Sequence, residues 1–228
     1  MQTRGRIAAA AIVVALVATV IAVLSARAGA HNVCAGNRSQ AQERGALVTG
    51  TGPEVLVIGD SYSVGLGVKP AESWPTYLPG RVRVDGFSGS GFSYAASGCP
   101  GVDYATRAET SVLESTKYVV VEGGLNDYDQ PMSEVQDGFR RLMQVLGDRE
   151  VLIVGPANAP SRVEEVPGID EELARLSKEY GATYLSMLDL DLSYQDDDLH
   201  PDVNGHRLFG ERVATAVENA WHLSDRVG

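Results

Sequence analysis

The chain has 228 residues, 44% of them hydrophobic, and carries 19 Lys+Arg against 30 Asp+Glu for a formal net charge of −11. The charge is uneven: residues 1–52 hold five Arg and one Glu, a net +4, which leaves −15 on residues 53–228. So acidic a domain is a poor partner for nucleic acid or anionic lipid, and both are excluded as its ligands.

Residues 1–30 do not read as part of that domain. Arg4 and Arg6 precede residues 7–24, where only Thr19 is polar, and Ala28-Gly29-Ala30 follows as a small-x-small cleavage site. A basic start, an apolar core and such a site read as a secretory signal. The core is also just long enough to span a bilayer. Residues 1–30 are therefore expected to be a signal peptide or an N-terminal membrane anchor, with residues 7–24 as the membrane contact if uncleaved. Arg4 and Arg6 should stay inside, which places the rest outside the cytoplasmic membrane, secreted or anchored to its outer face. Residues 31–52 are polar and Gly-punctuated and read as a tether. Residues 53–228 are then one domain with a full core and no internal repeat.

The two cysteines, Cys34 and Cys99, can oxidise in an exported protein. A bridge would close a long loop and stabilise by about 4 kcal/mol in the chain-entropy model. No Leu-Ala-Gly precedes Cys34, so it is not read as a lipidated cysteine.

Within the domain, five short apolar runs rich in β-branched residues predict strands at 55–58, 82–84, 118–121, 151–154 and 183–185. Helical spacing appears between them. Residues 133–146 place Val135, Phe139, Leu142, Met143 and Leu146 at three- and four-residue steps. Residues 169–180 do so with Leu173, Leu176 and Tyr180, and residues 203–223 with Leu208, Val213, Val217 and Ala220. Strands alternating with helices predict an α/β fold, a three-layer α/β/α sandwich on a parallel sheet with right-handed crossovers.

Ligands of such sheets bind outside the carboxyl ends of the strands. The first strand runs through "VLVIGDSYSVGLG" and delivers Ser61. The second is followed by "DGFSGSGFSY", the third by "EGGLNDYD", and the fifth by "DDDLHPDVNGH" ahead of the last helix. A serine, glycines, an Asn-Asp pair and an Asp-His pair thus converge on one rim. Ser61 does not sit in a G-x-S-x-G elbow, and turn chemistry alone would explain Gly-Asp-Ser at a strand end.

Serine needs a base to act as a nucleophile. Of the four histidines, His31 is in the tether, His222 is near the C-terminus, and His206 sits in the first turn of the last helix, where packing or exposure explains it. His200 lies in the loop entering that helix. An acid must orient the imidazole; Asp197, three residues before His200, is close enough, and Asp196 and Asp198 are geometric alternatives. Donors for a developing oxyanion are also needed. The Ser61 N–H, a glycine N–H in the second loop and the Asn126 side-chain amide are candidates. Asn126-Asp127 is also explained as an Asx turn. Trp74, Tyr77, Phe87, Phe92 and Tyr94 either wall a pocket or pack the core.

"GDSYS" around Ser61, "GFSG" ending at Gly89, "GLND" ending at Asp127 and "DDLHP" ending at Pro201 resemble the four blocks of the SGNH (GDSL-type) hydrolase superfamily, in the family's order. The resemblance implies a flavodoxin-like serine esterase fold with a five-stranded parallel sheet. It implies Ser61 as nucleophile and N–H donor, Gly89 as backbone donor, Asn126 as side-chain donor, and Asp197 with His200 as the D-x-x-H pair. It implies no cofactor and no metal. The second block departs from the pattern: the asparagine often found ahead of its glycine is absent, and Gly91 competes with Gly89. The expected substrate is an acyl ester of a small molecule, glycan or lipid.

Two other activities share these features: an O-acyltransferase would use the same acyl-enzyme, and a tethered binding domain would keep the fold without the chemistry. The acid-rich stretch Asp189, Asp191, Asp196, Asp197, Asp198 and His200 offers hard-cation ligands, but no second histidine stands at ligand spacing.

Overall fold

The computed structural model describes residues 2–223, with side chains from residue 28 onward and for a few positions before it. Nearly all of residues 7–24, read as signal or anchor, have side chains outside the described set. Among the described residues no helix is long and apolar enough to cross a membrane. The backbone there is helical: α1 runs Gln2–Ala46. The chain divides into two compact units, Met1–Gly36 and Asn37–Gly228. Cys34 and Cys99 are both disulfide-bonded, and neither is a free thiol.

In the larger unit the sheet is built from β1 (Glu54–Gly59), β2 (Arg81–Gly86), β3 (Tyr118–Glu122), β4 (Glu150–Ala157) and β5 (Thr183–Met187). Its order is β2-β1-β3-β4-β5, and every pair is parallel. Each central strand is apolar on both faces because both are covered. Val55, Val57, Val120, Leu152 and Val154 face one layer, formed by Phe209, Val213, Val217 and Trp221 of α6 (Val203–Trp221). Leu56, Ile58, Val119, Val121 and Ile153 face the other. There they meet α3 (Tyr104–Ser111), α4 (Met132–Leu146) and α5 (Val166–Tyr180). This is the expected three-layer sandwich. The order reverses between β1 and β3, so the crevice for a ligand opens beside the end of β1, where Ser61 lies.

Two parts of the unit differ from the expectation. α3 lacks a long apolar stripe: it buries Tyr104, Ala105 and Ala108, and begins where the Asp103 side chain accepts from Thr106 N–H. Residues 37–46, which composition assigns to a tether, are the last turns of α1 and are joined to the domain. Arg44 is buried, donating from Nε to Ser73 Oγ at 2.9 Å and from Nη1 to the Leu47 carbonyl at 3.1 Å. Thr49 then bridges Val82 antiparallel. Polar residues can enclose one guanidinium, bonded here through Nε and Nη1, as well as they can solvate a tether, and composition does not separate the two.

Candidate active site

The first strand ends in a turn that packs too tightly for side chains. A Cβ on Gly59 would stand 2.1 Å from Ser63 Oγ and 2.7 Å from Glu122 Oε2, so only glycine fits. Asp60 caps the four-residue helix α2 (Ser61–Val64), its Oδ1 accepting the Tyr62 N–H at 2.9 Å. Ser61 is the first residue of α2 and is 7% exposed. Its own N–H has no partner among the described residues.

His200 reaches Ser61 from the other end of the domain sequence: its Nε2 is 3.0 Å from Ser61 Oγ. Its Nδ1 is 2.6 Å from Asp197 Oδ2. Asp197 Oδ1 also accepts the N–H groups of Leu199 at 3.0 Å and His200 at 2.9 Å. Burial would raise the Asp197 carboxyl, but the ring hydrogen bond and the two backbone donors outweigh it and hold the group at about 2. Such a chain of hydroxyl, imidazole and carboxylate can take a proton from the serine and steady the charge on the ring. Asp196 and Asp198 are exposed and do not meet His200. His206 is fully buried, packed edge-on to Tyr62, with neither ring nitrogen bonded to protein. Burial first, and His200 nearby second, push its pKa down to about 4.

The histidine loop is fastened to the elbow. Tyr62 donates its hydroxyl to the Leu199 carbonyl at 2.6 Å, and Gln195 Nε2 donates to the carbonyls of Leu66 at 2.8 Å and Pro201 at 2.9 Å.

Gly89 and Gly91 are distinguished by what surrounds them. A Cβ on Gly91 would sit 2.6 Å from Asp127 Oδ2 and 2.8 Å from Ala96 Cβ, so that glycine is a packing position. Gly89 has φ +83° and only Ser97 Oγ, at 3.9 Å, near its Cβ position. Its N–H has no partner among the described residues. Asn126 lies in the turn after β3, and its amide is already engaged: Nδ2 donates to Asp60 Oδ2 at 3.1 Å and to the Ser90 carbonyl at 2.9 Å. It thereby ties the Gly89 loop to the elbow.

Asp127 looks like a turn residue in sequence but is a buried clamp. Its two oxygens accept Phe92 N–H at 3.0 Å and Ser93 N–H at 2.8 Å. Burial raises its pKa to about 7, against the pull of those two donors. From its ordinary value of 3.8 up to about 7, the unfolded carboxyl has lost its proton while the folded one keeps it. Stability therefore falls as pH rises through that window, by about 1.4 kcal/mol per pH unit for one such group. Asp127→Asn removes this slope, and it also turns an amide N–H₂ toward a backbone N–H at about 1–3 kcal/mol. Urea midpoints should fall less between pH 4.5 and 7 in the variant than in the parent. Identical pH dependence would mean that Asp127 is ionised throughout.

Three further supports carry no motif. Glu122, at the end of β3, accepts Ser63 Oγ at 2.6 Å. Its pKa is raised by burial and by the Asp60 charge; burial raises that of Asp60 in turn. Arg107 donates to the Gly59 carbonyl at 2.8 Å, to Ser90 Oγ at 3.1 Å and to Asp85 at 2.7 Å, joining the elbow to the second loop. A lone acid ending an apolar strand was the available signal for Glu122; Arg107 left none. Trp74 and Phe92 are core residues, Trp74 tilted against Phe209 and Phe92 edge-on to Tyr104 and stacked on Phe139, and Phe87 is buried too. Tyr77 and Tyr94 are exposed. Among the described residues no group of three His, Cys, Asp or Glu is placed to hold a metal ion.

Solved structures similar to this chain include the following three. A carbohydrate acetylesterase family member from Sinorhizobium meliloti aligns with TM-score 0.62 and 20% identity over 75% of this chain and 99% of its own. An esterase from Pseudoalteromonas sp., inhibited by monoethylphosphonate, aligns with TM-score 0.60 and 16% identity over 73% and 97%. The M. smegmatis aryl esterase aligns with TM-score 0.59 and 15% identity over 74% and 99%. At these identities they share the fold. No curated protein matches the sequence. The profile of the GDSL-like lipase/acylhydrolase family matches residues 57–208, from the elbow strand through the histidine loop into α6. Spanning two thirds of the sequence and every loop of the site, that match makes the chain a member of the GDSL-like lipase/acylhydrolase family, the SGNH-type serine ester hydrolases.

Proposed function

We propose that the chain is an exported serine esterase that cleaves an acyl ester, of a carbohydrate, a lipid or another small alcohol, through Ser61, His200 and Asp197. The observation that carries this reading is the unbroken path from Ser61 Oγ to His200 Nε2 at 3.0 Å and from Nδ1 to Asp197 at 2.6 Å. Ser61 Oγ attacks the ester carbon while His200 Nε2 takes its proton, and Asp197 holds the ring and stabilises the imidazolium. The carbonyl oxygen becomes an oxyanion received by the unpartnered N–H groups of Ser61 and Gly89. Asn126 exchanges its bond to the neutral Ser90 carbonyl for one to the oxyanion, a stronger acceptor because it is charged. The ester C–O bond then breaks, and His200 gives its proton to the departing alcohol. Water, deprotonated by His200, releases the acyl group by the same steps in reverse.

A small acyl group is favoured by the neighbour named as a carbohydrate acetylesterase. Export rests on the basic start and the apolar residues 7–24. The full chain should hydrolyse p-nitrophenyl acetate in the presence of a chelator, and an organophosphonate should add one label, at Ser61. Asn126→Ala should lower kcat by about 10²–10³, roughly 3–4 kcal/mol, with less change in KM. Labelling elsewhere, or an Asn126 defect confined to KM, would remove the corresponding role.

A further inference from the structure

Arg162 ends the short helical turn Pro160–Arg162 on the loop after β4. Its guanidinium lies 3.7 Å from the centroid of the Tyr128 ring. Tyr128 is two residues beyond Asn126. The neighbouring Ser161 N–H donates to the Asp198 carbonyl at 3.0 Å, one residue beyond Asp197. Arg162 thus lies against the loop that carries Asn126, and the residue before it is bonded to the loop that carries His200.

None of its donors meets a carboxylate among the described residues. Nη1 donates to the Ser161 carbonyl at 3.2 Å, Nε is buried without a partner, and no carboxylate pairs with it among the described residues. Asp129, Glu164 and Glu165, its acidic neighbours in sequence and across the turn, do not bond its side chain; Asp129 accepts from Gln130 instead. Arg107 on Asp85 or Arg141 on Asp103, by contrast, face a carboxylate. A guanidinium held over an aromatic ring keeps its place, and with Nε buried and Nη1 on Ser161 it is Nη2 that is left for an anion. The net −15 of residues 53–228 gives an anion no long-range attraction. At physiological salt that field is screened beyond about 8 Å, so a local cation decides.

We propose that Tyr128 and Arg162 form a subsite for a carboxylate on the alcohol part of the ester. The side follows from the chemistry: on the mechanism above, His200 hands its proton to the leaving alcohol, and the segment that carries Arg162 is joined to the His200 loop through Ser161 N–H. The inference rests on that esterase reading and adds a substrate class to it, acyl esters of carboxylate-bearing alcohols such as acylated uronic or hydroxy acids.

The test compares kcat/KM of the full chain for 4-acetoxybenzoate and for phenyl acetate. Arg162→Ala should lower the ratio of the two about tenfold, the size of one charge-assisted hydrogen bond. Arg162→Lys should restore part of the ratio, because it keeps the charge and loses the fork. A second arm needs no turnover: calorimetric binding of 4-acetoxybenzoate to Ser61→Ala should weaken about tenfold when Arg162→Ala is added. An unchanged ratio, or unchanged binding, overturns the subsite while leaving the esterase intact. If neither ester is hydrolysed the esterase reading fails, and the binding arm still decides whether Arg162 holds a carboxylate.

Discussion

Ser61→Ala should lower kcat for p-nitrophenyl acetate by on the order of 10⁶, the scale seen when the nucleophile of a group acting as a unit is lost. The reason is local. Ser61 Oγ is the group that His200 Nε2 meets, at 3.0 Å, and it stands at the head of a helix whose first N–H is free to receive the oxyanion. Alanine keeps the backbone, and with it both the capping bond from Tyr62 N–H to Asp60 and the oxyanion donors. The variant should therefore fold with a thermal midpoint close to the parent's and retain only the residual catalysis of a site without a nucleophile. Burst kinetics should vanish, and so should labelling by an organophosphonate. Near-parental turnover in a folded Ser61→Ala protein would defeat the proposed mechanism outright.

The second large effect separates two histidines that lie six residues apart. His200→Ala should cost nearly as much as Ser61→Ala, since on the proposed mechanism it removes both the proton acceptor for the serine and the proton donor to the alcohol. Asp197 would then lose the ring that helps hold its carboxyl at about 2. His206→Ala should behave differently. That ring is fully buried against Tyr62 with both nitrogens unbonded to protein, so its loss opens a cavity behind the residue that fastens the Leu199 carbonyl. The expected result is a lower unfolding midpoint with most of kcat retained per folded molecule. Equal catalytic loss in two variants that are both folded would mean that His206 also takes part in proton transfer.

The supports beneath these groups account for how such a site survives in so acidic a domain. Asp60, Glu122 and Asp127 are all buried around the turn that carries Ser61. Burial favours their neutral forms. Each is bonded to a group that matters for shape: Asp60 to Tyr62 and Asn126, Glu122 to Ser63, Asp127 to the Phe92 and Ser93 N–H groups. Arg107 adds a cation to the same region through the Gly59 carbonyl. The elbow, the Gly89 loop and the Asn126 turn are thereby one bonded body, as an oxyanion site requires if its donors are to be in place before charge develops.

Much of this molecule is determined by its sequence alone. The five β-branched runs became five strands because a residue such as Val57 or Val120, apolar on a chain that alternates sides, is stable only where both faces of the sheet are covered. The helices over 133–146, 169–180 and 203–223 were legible because their apolar residues recur at the helical period. The four loop blocks named the family because glycine, serine, asparagine and histidine at those places have few substitutes. Tertiary structure decided the rest. Which aspartate meets His200 depends on a loop whose Leu199 and His200 N–H groups both turn onto Asp197, a choice that three consecutive aspartates do not encode locally. Gly89 and Gly91 differ in that Gly89 takes φ +83°, while Asp127, 36 residues beyond Gly91, fills the space at the Cβ position of Gly91. Arg107, Arg44 and Arg162 read alike as single charges, yet one is buried under the elbow, one closes the end of α1, and one lies on Tyr128. Periodicity records which side of an element is buried. It carries no information about which distant polar group completes a hydrogen bond, because that pairing is fixed only when the loops at the strand ends meet.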